Sequence, residues 1–147
     1  MPLRFITARI DGLLAWARQR SLWGLPFANA CCAAQFACTD LDALGPDAGS
    51  CSVAPEGADL LIVMGTVTRR QAGELRAVYE RMADPKWVIA MGACAVSGGC
   101  YDNYSTVKGI ADIVPVDAYV PGCPPRPEQL AHAIQKVREK ISLRKDD

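Results

Sequence analysis

ADLLIVMGTVTRRQAGELRAVYERMADPKWVIAMG (58–92) reads as strand, helix, strand. ADLLIVMG (58–65) is an almost unbroken apolar run, the pattern of a short strand covered on both faces. KWVIAMG (86–92) repeats that pattern. Between them, Thr68 and Gln71 have the spacing of a capping box. Leu75, Val78, Tyr79 and Met82 then recur at helical intervals, which predicts an amphipathic helix over 69–82. Asp84-Pro85 ends it, because the residue before a proline is pushed out of the helical region. Two buried strands joined through a helix run parallel and lie in the middle of a covered sheet.

The flanks extend that unit. Downstream, SGG (97–99) is a turn, and the chain to about 110 reads as loop with room for a short helix. ADIVPVDAYVPG (111–122) carries a further strand or two. Pro127 and Glu128 suit the first turn of a closing helix, with Leu130, Ile134, Val137 and Ile141 as its buried stripe. Upstream, LWGLPFANA (22–30) predicts a first strand, weakened or bent at its start by Pro26. Residues 38–57 have no period and are rich in Gly, Pro, Asp and Ser, the signature of a long loop. LRFITARIDGLLAWARQR (3–20) places Phe5, Ile6, Ile10, Leu13 and Leu14 on one helical face, with Arg4, Arg18 and Arg20 off it. Such a helix suits a membrane interface or a partner, and equally suits packing on its own domain. The tail SLRKDD is expected to fray. The expectation is a leading helix (1–20) and one α/β domain (21–147), a doubly wound parallel sheet with helices on its faces.

The bulk properties narrow the function. The chain has 147 residues, half of them hydrophobic, and zero formal net charge. It can bury a real core and has no overall attraction to nucleic acid. Runs such as LLIVM (60–64) are too short to span a bilayer. Arg4, Arg9 and Asp11 interrupt the N-terminal apolar residues, unlike a secretory signal. A cytosolic setting, or the cytosolic face of a membrane, follows as the expectation. There the seven cysteines read as ligands or buried thiols rather than disulfides, and an odd number argues against a complete disulfide framework.

Four of those cysteines follow strands. Cys31 and Cys32 are adjacent after the first, Cys94 follows WVIAMG, and Cys123 follows VDAYVPG. Parallel strands end at one edge, where open α/β sheets hold their ligands, so these thiols are placed to converge. A zinc ion and an iron–sulfur cluster both take four thiolates. Zinc knuckles typically use CxxC pairs, which are missing here, and two adjacent cysteines on one small ion would be strained. A cubane offers separate irons to neighbouring thiolates, which favours [4Fe–4S]. Buried core cysteines with no metal are the plain alternative. Gly92 and Gly122 would let backbone approach a bulky cluster, and Pro124 and Pro125 would stiffen the exit. Arg126 stands beside Cys123, where a fixed positive charge would raise a cluster's potential.

ADLLIVMGTVTRR, PKWVIAMGACAVSGG, YDNYSTVKG and IVPVDAYVPGCPPRPEQL, in that order, closely resemble the small cluster-bearing subunit of respiratory complex I, the NADH:quinone oxidoreductase. The resemblance runs from about Leu22 to Ile141. It implies a flavodoxin-like fold and one [4Fe–4S] cluster held by Cys31, Cys32, Cys94 and Cys123. It also implies an electron relay to quinone at an interface with a larger, hydrogenase-like (49-kDa-type) subunit, beside another cluster-bearing subunit and membrane subunits. The implied place is peripheral, on the cytoplasmic face of the inner membrane. Related energy-converting [NiFe] hydrogenase small subunits carry CxxC where this chain has Cys31-Cys32; such a subunit, or a ferredoxin-linked relative with another acceptor, is the alternative. A non-redox α/β binding module with structural thiols is the third. The sequence departs from the family's usual Glu at Gln35 and from its usual arginines at Ser52 and Glu56, which changes charge on the side where relatives meet quinone. Cys38, Cys51 and Cys100 are read as buried or incidental thiols, or else as alternative ligands or redox-sensitive groups. His132 reads as an interface or solvated residue, and Trp23, Phe27 and Tyr101 as packing residues.

Overall fold

The computed structural model describes residues 13, 16, 17, 22–38 and 54–143. Of the expected leading helix, Leu13, Trp16 and Ala17 are described, all three helical and exposed. The rest of that helix, Cys51, Ser52 and the tail from 144 lie outside the described residues.

Four strands form one sheet in the order β1-β2-β3-β4. They are β1 (Gly24–Ala28), β2 (Leu60–Met64), β3 (Trp87–Met91) and β4 (Ala118–Val120), and every neighbouring pair is parallel. The helices are α1 (Ala30–Ala37), α2 (Arg69–Arg81), α3 (Ala93–Ser97) and α4 (Pro127–Leu143), with a single 3-10 turn at Pro55–Gly57. β2 and β3 are buried at every residue, as their continuous apolar runs require. Pro26 is accommodated because β1 is an edge strand, where a missing N–H is tolerated.

Period-two alternation divides the core between the faces. Leu60, Ile62, Met64, Trp87, Ile89 and Met91 pack on one face with α4 residues Leu130, Ile134, Val137 and Ile141, and with Cys32 of α1. Leu61, Val63, Val88 and Ala90 pack on the other with Leu75 of α2, Ala95 of α3, Ile110 and Val114. Helices thus cover both faces, as the α/β expectation requires. The closing helix uses the stripe read from sequence, with Ala133 added.

Local signals worked where a specific hydrogen bond enforces them. Gln71 N–H donates to Thr68 Oγ1 at 3.2 Å, and Thr68 N–H donates to Gln71 Oε1 at 3.1 Å, closing the capping box that starts α2. The "strand or two" expected over 111–122 is the three-residue β4; residues 110–114 form a turn instead, closed by Ile113 N–H and Val114 N–H on the carbonyl of Ile110. The short helix of this region, α3, lies before the SGG turn and is ended by Gly98 at φ 84°, whereas residues 98–110, where the sequence left room for one, hold no helix.

Candidate metal centre

The four strands end at one edge, and the cysteine-bearing turns are arrayed along it. Cys31 and Cys32 sit in the first turn of α1, immediately after β1. Cys94 lies in the first turn of α3, immediately after β3. Cys123 follows β4 by three residues. The last two turns are stitched together: Gly92 N–H donates to the Val120 carbonyl and Ala93 N–H to the Gly122 carbonyl, both at 2.8 Å.

Glycines let these turns close in. A Cβ on Gly92, whose φ is 92°, would stand 2.5 Å from Cys32 Sγ. So Cys32 on α1 rests directly on the turn that leads to Cys94. A Cβ on Gly99, at φ 62°, would stand 2.9 Å from Cys94 Sγ. Larger residues at either position would occupy the space beside a sulfur, and their backbone angles would also be strained.

The thiols differ in exposure. Cys32 and Cys94 are buried, whereas Cys31 and Cys123 are exposed. Burial pushes the Cys32 thiol up to about 11, and the negative charges available at Cys31, Cys94 and Cys123 push it the same way, as does a hydrogen bond with the Cys31 thiol. Three thiols are therefore close enough to Cys32 to oppose its ionisation. A cation arriving among them would reverse that balance. Among the described residues, no group of three or more His, Cys, Asp or Glu side chains is placed to hold one metal ion. An all-sulfur donor set spread over three turns, lined by glycines instead of side chains, fits a body larger than an ion.

The other candidates separate from this edge or stay at its margin. Cys38 caps the far end of α1 and is exposed, as is Cys100. His132 lies on an exposed position of α4. Arg126 is exposed, with its backbone N–H donating to Gln129 Oε1 at the start of α4. Gln35 is half-buried on α1. Of the three residues read as packing, Phe27 packs against the core, while Trp23 and Tyr101 are exposed. Glu56 is elsewhere: it precedes β2, at the opposite edge, and Arg81 Nε donates to it at 3.1 Å. Its charge is balanced within the chain, so this departure from the family adds no bare acid at the cysteine edge.

Two features of the edge were missed in the sequence. Asn103 Oδ1 accepts from the N–H groups of Ser105 and Thr106 and from the Ser105 hydroxyl, while the Thr106 hydroxyl donates to the Tyr101 carbonyl at 2.7 Å, fixing the loop that carries exposed Tyr101 and Tyr104. That loop is pinned to the turn between β2 and α2 and to the first residue of α2, through Val107 N–H on the Val67 carbonyl and Arg69 N–H on the Ser105 carbonyl. Asn29 joins α1 to the α2 capping box, its Oδ1 accepting from Gln71 Nε2 at 3.2 Å, and its Nδ2 is buried without a partner among the described residues. An Asn before a helix signals a cap, but no local pattern signals a bond over 42 residues of sequence.

A parallel α/β sheet with four thiols ranged along its carboxyl edge defines a cysteine-rich domain of the kind found in redox complexes. The chain belongs to the NADH ubiquinone oxidoreductase 20 Kd subunit family, whose model matches residues 25–137. It is 50% identical over 141 residues to an NADH-quinone oxidoreductase subunit of Geotalea daltonii, covering 92% of this chain and 81% of that one. The corresponding subunit of Geobacter metallireducens is 49% identical over 142 residues, covering 93% and 82%. Among solved structures, a chain of an archaeal membrane-bound sulfane sulfur reductase, a respiratory membrane complex, superposes with a TM-score of 0.81 at 34% identity, over 89% of this chain and 76% of that one. A chain of an NAD+-reducing [NiFe]-hydrogenase shares the fold, with a TM-score of 0.50 at 24% identity, over 74% and 86%. Among the described residues no helix is long and apolar enough to cross a membrane.

Proposed function

We propose that this chain is the electron-relay subunit of an NADH:quinone oxidoreductase-type complex, holding one [4Fe–4S] cluster through Cys31, Cys32, Cys94 and Cys123 and serving quinone at an interface with a larger subunit. The observation that carries this reading is the all-thiol set on one sheet edge, with Cys32 seated against Gly92 and sensing the other three thiols. Bound there, a cluster of this type exchanges single electrons. The chain's own part is to position and insulate. Buried Cys32 and Cys94 anchor the inner side, and the fixed turns after β3 and β4 hold their spacing. Exposed Cys31 and Cys123, with Tyr101 and Tyr104 nearby in sequence to Cys94, leave the outer side open to a partner.

The partners of this reading are a larger hydrogenase-like subunit, a second cluster-bearing subunit and membrane subunits, with attachment peripheral to the cytoplasmic face of the inner membrane. The relatives named as quinone oxidoreductase subunits support it. Isolated anaerobically, the chain should be brown and carry about four irons. A colourless protein, or one with a single zinc, overturns the reading.

The sulfur-reductase neighbour favours a second reading, in which the same relay serves a different acceptor, as in a ferredoxin-linked relative. Quinone reduction by the isolated complex, inhibited by quinone-site blockers, decides for the first; reduction of a sulfur compound with no quinone activity decides for the second.

A further inference from the structure

Thr68, Gln71 and Asn29 form a hydrogen-bond relay whose direction is set by the backbone. Thr68 N–H can only donate, and it donates to Gln71 Oε1 at 3.1 Å; the Thr68 hydroxyl donates to the same oxygen at 3.0 Å. Gln71 therefore faces Thr68 with its oxygen and presents Nε2 to Asn29, donating to Oδ1 at 3.2 Å. Rotating the Asn29 amide by half a turn would set two N–H groups against each other, so its orientation is fixed in turn. Its Nδ2 is left buried, without an acceptor among the described residues. A buried donor left unpaired has lost its water without gaining a partner, which is unfavourable.

The position of this donor gives it meaning. Asn29 is the cap of α1, and the second and third residues of that helix are Cys31 and Cys32. A capping Asn ordinarily turns its oxygen inward to accept one of those two N–H groups. Here it makes no capping bond, because Gln71 holds the oxygen. The backbone around it is locked as well. Ala30 sits at φ 55°, a left-handed angle that a non-glycine residue adopts only under constraint. A Cβ on Gly65 would stand 2.2 Å from the Asn29 carbonyl oxygen, so the end of β2 presses directly on this turn.

We propose that the Asn29 side-chain N–H donates a hydrogen bond to a sulfur of the cluster held by Cys31 and Cys32, and thereby raises its reduction potential. The inference rests on the cluster assignment above. An added electron makes the sulfurs more negative, so a neutral donor favours the reduced state more than the oxidised one. Asn29 acts through the sulfur it touches, as a tuning residue rather than a ligand.

The test uses the full chain, isolated anaerobically in its native assembly. Asn29→Leu removes the donor without adding charge. It should keep about four irons per chain, and an EPR-monitored titration should show its potential shifted downward. Exchange into deuterated water should reveal a deuteron magnetically coupled to the reduced cluster in the native chain, and that coupling should vanish in Asn29→Leu. Asn29→Asp keeps the shape and the Gln71 bond, so it covers the case in which the leucine variant does not fold; it too should lose the coupling and shift downward. An intact cluster with unchanged potential and unchanged coupling in either variant overturns the inference and leaves the cluster assignment standing. A native chain without iron overturns the assignment itself.

Discussion

The two edges of the sheet are built from different chemistry. At the amino edge, three ion pairs join charged side chains: Glu56 with Arg81, Asp84 with Lys86, and Asp117 with Lys140. Asp117 also accepts Val88 N–H at 3.0 Å, tying the start of β3 to the approach to β4. At the carboxyl edge, roughly 16 Å away along β2, the close-packed groups are thiols, left-handed glycines and neutral amides, and one amide donor is unpaired among the described residues. The amino edge therefore closes the fold within the chain. The carboxyl edge carries the thiols and the amide donor to which the proposed cluster would give partners.

Removing a buried thiol puts the most pressure on this division. Cys94→Ser keeps the volume nearly constant but substitutes a poor ligand for iron. Iron content should fall from about four per chain to a small remainder, while the far-ultraviolet circular dichroism stays that of an α/β protein. Retention of the full iron complement would show that the two edges are not chemically distinct in this sense, since Cys94 would then be only a core residue.

Gly92→Ala probes the same edge through its backbone. The substitution meets a left-handed φ of 92° and a sulfur 2.5 Å away. The strain and the overpacking together should cost about 2–4 kcal/mol in a urea titration, and cluster content should fall with it. Asp117→Asn is the counterpart at the amino edge. The amide can still accept from Val88 N–H but loses the charge facing Lys140, so about 1 kcal/mol of stability should be lost. Iron content should not change. A variant at Asp117 that empties the cluster site would join the two edges into one functional unit.

The same division explains what could be read from the sequence. β2, β3 and the buried stripe of α4 were legible because burial on both faces, or on one helical stripe, writes itself into the spacing of apolar residues. The cysteines were legible as a set because parallel strands must end together, so that placing three turns after three strands already places them on one edge. β4 was overread because IVPVD is apolar without being extended; the turn at 110–114 uses Ile110 and Val114 as core residues. The Asn29–Gln71 bond was illegible because it depends on how α1 and α2 approach each other, not on any local pattern. Glu56 was placed by family likeness on the acceptor side, and only the tertiary fold pairs it with Arg81.

The smallest effect belongs to that pair, and it tests the amino edge by its pH dependence. A bond from its own backbone N–H, and then the Arg81 guanidinium, hold the Glu56 carboxyl below the usual carboxylate range. A carboxyl depressed by folding contributes stability above the ordinary value of 4.5, and that contribution is lost as the pH falls through the folded value. Both side chains are more than half exposed, so water and salt screen the pair strongly. Glu56→Gln should therefore lower the thermal midpoint slightly at pH 7 and low salt. The difference from the native chain should shrink on adding salt and vanish below the carboxylate range. Iron content and reduction potential should be the same in both, because the charge lies a full strand length from the thiols. A shift in potential on Glu56→Gln would mean that charge at the amino edge reaches the cysteines, and the separation between the two edges would then be structural without being electrostatic.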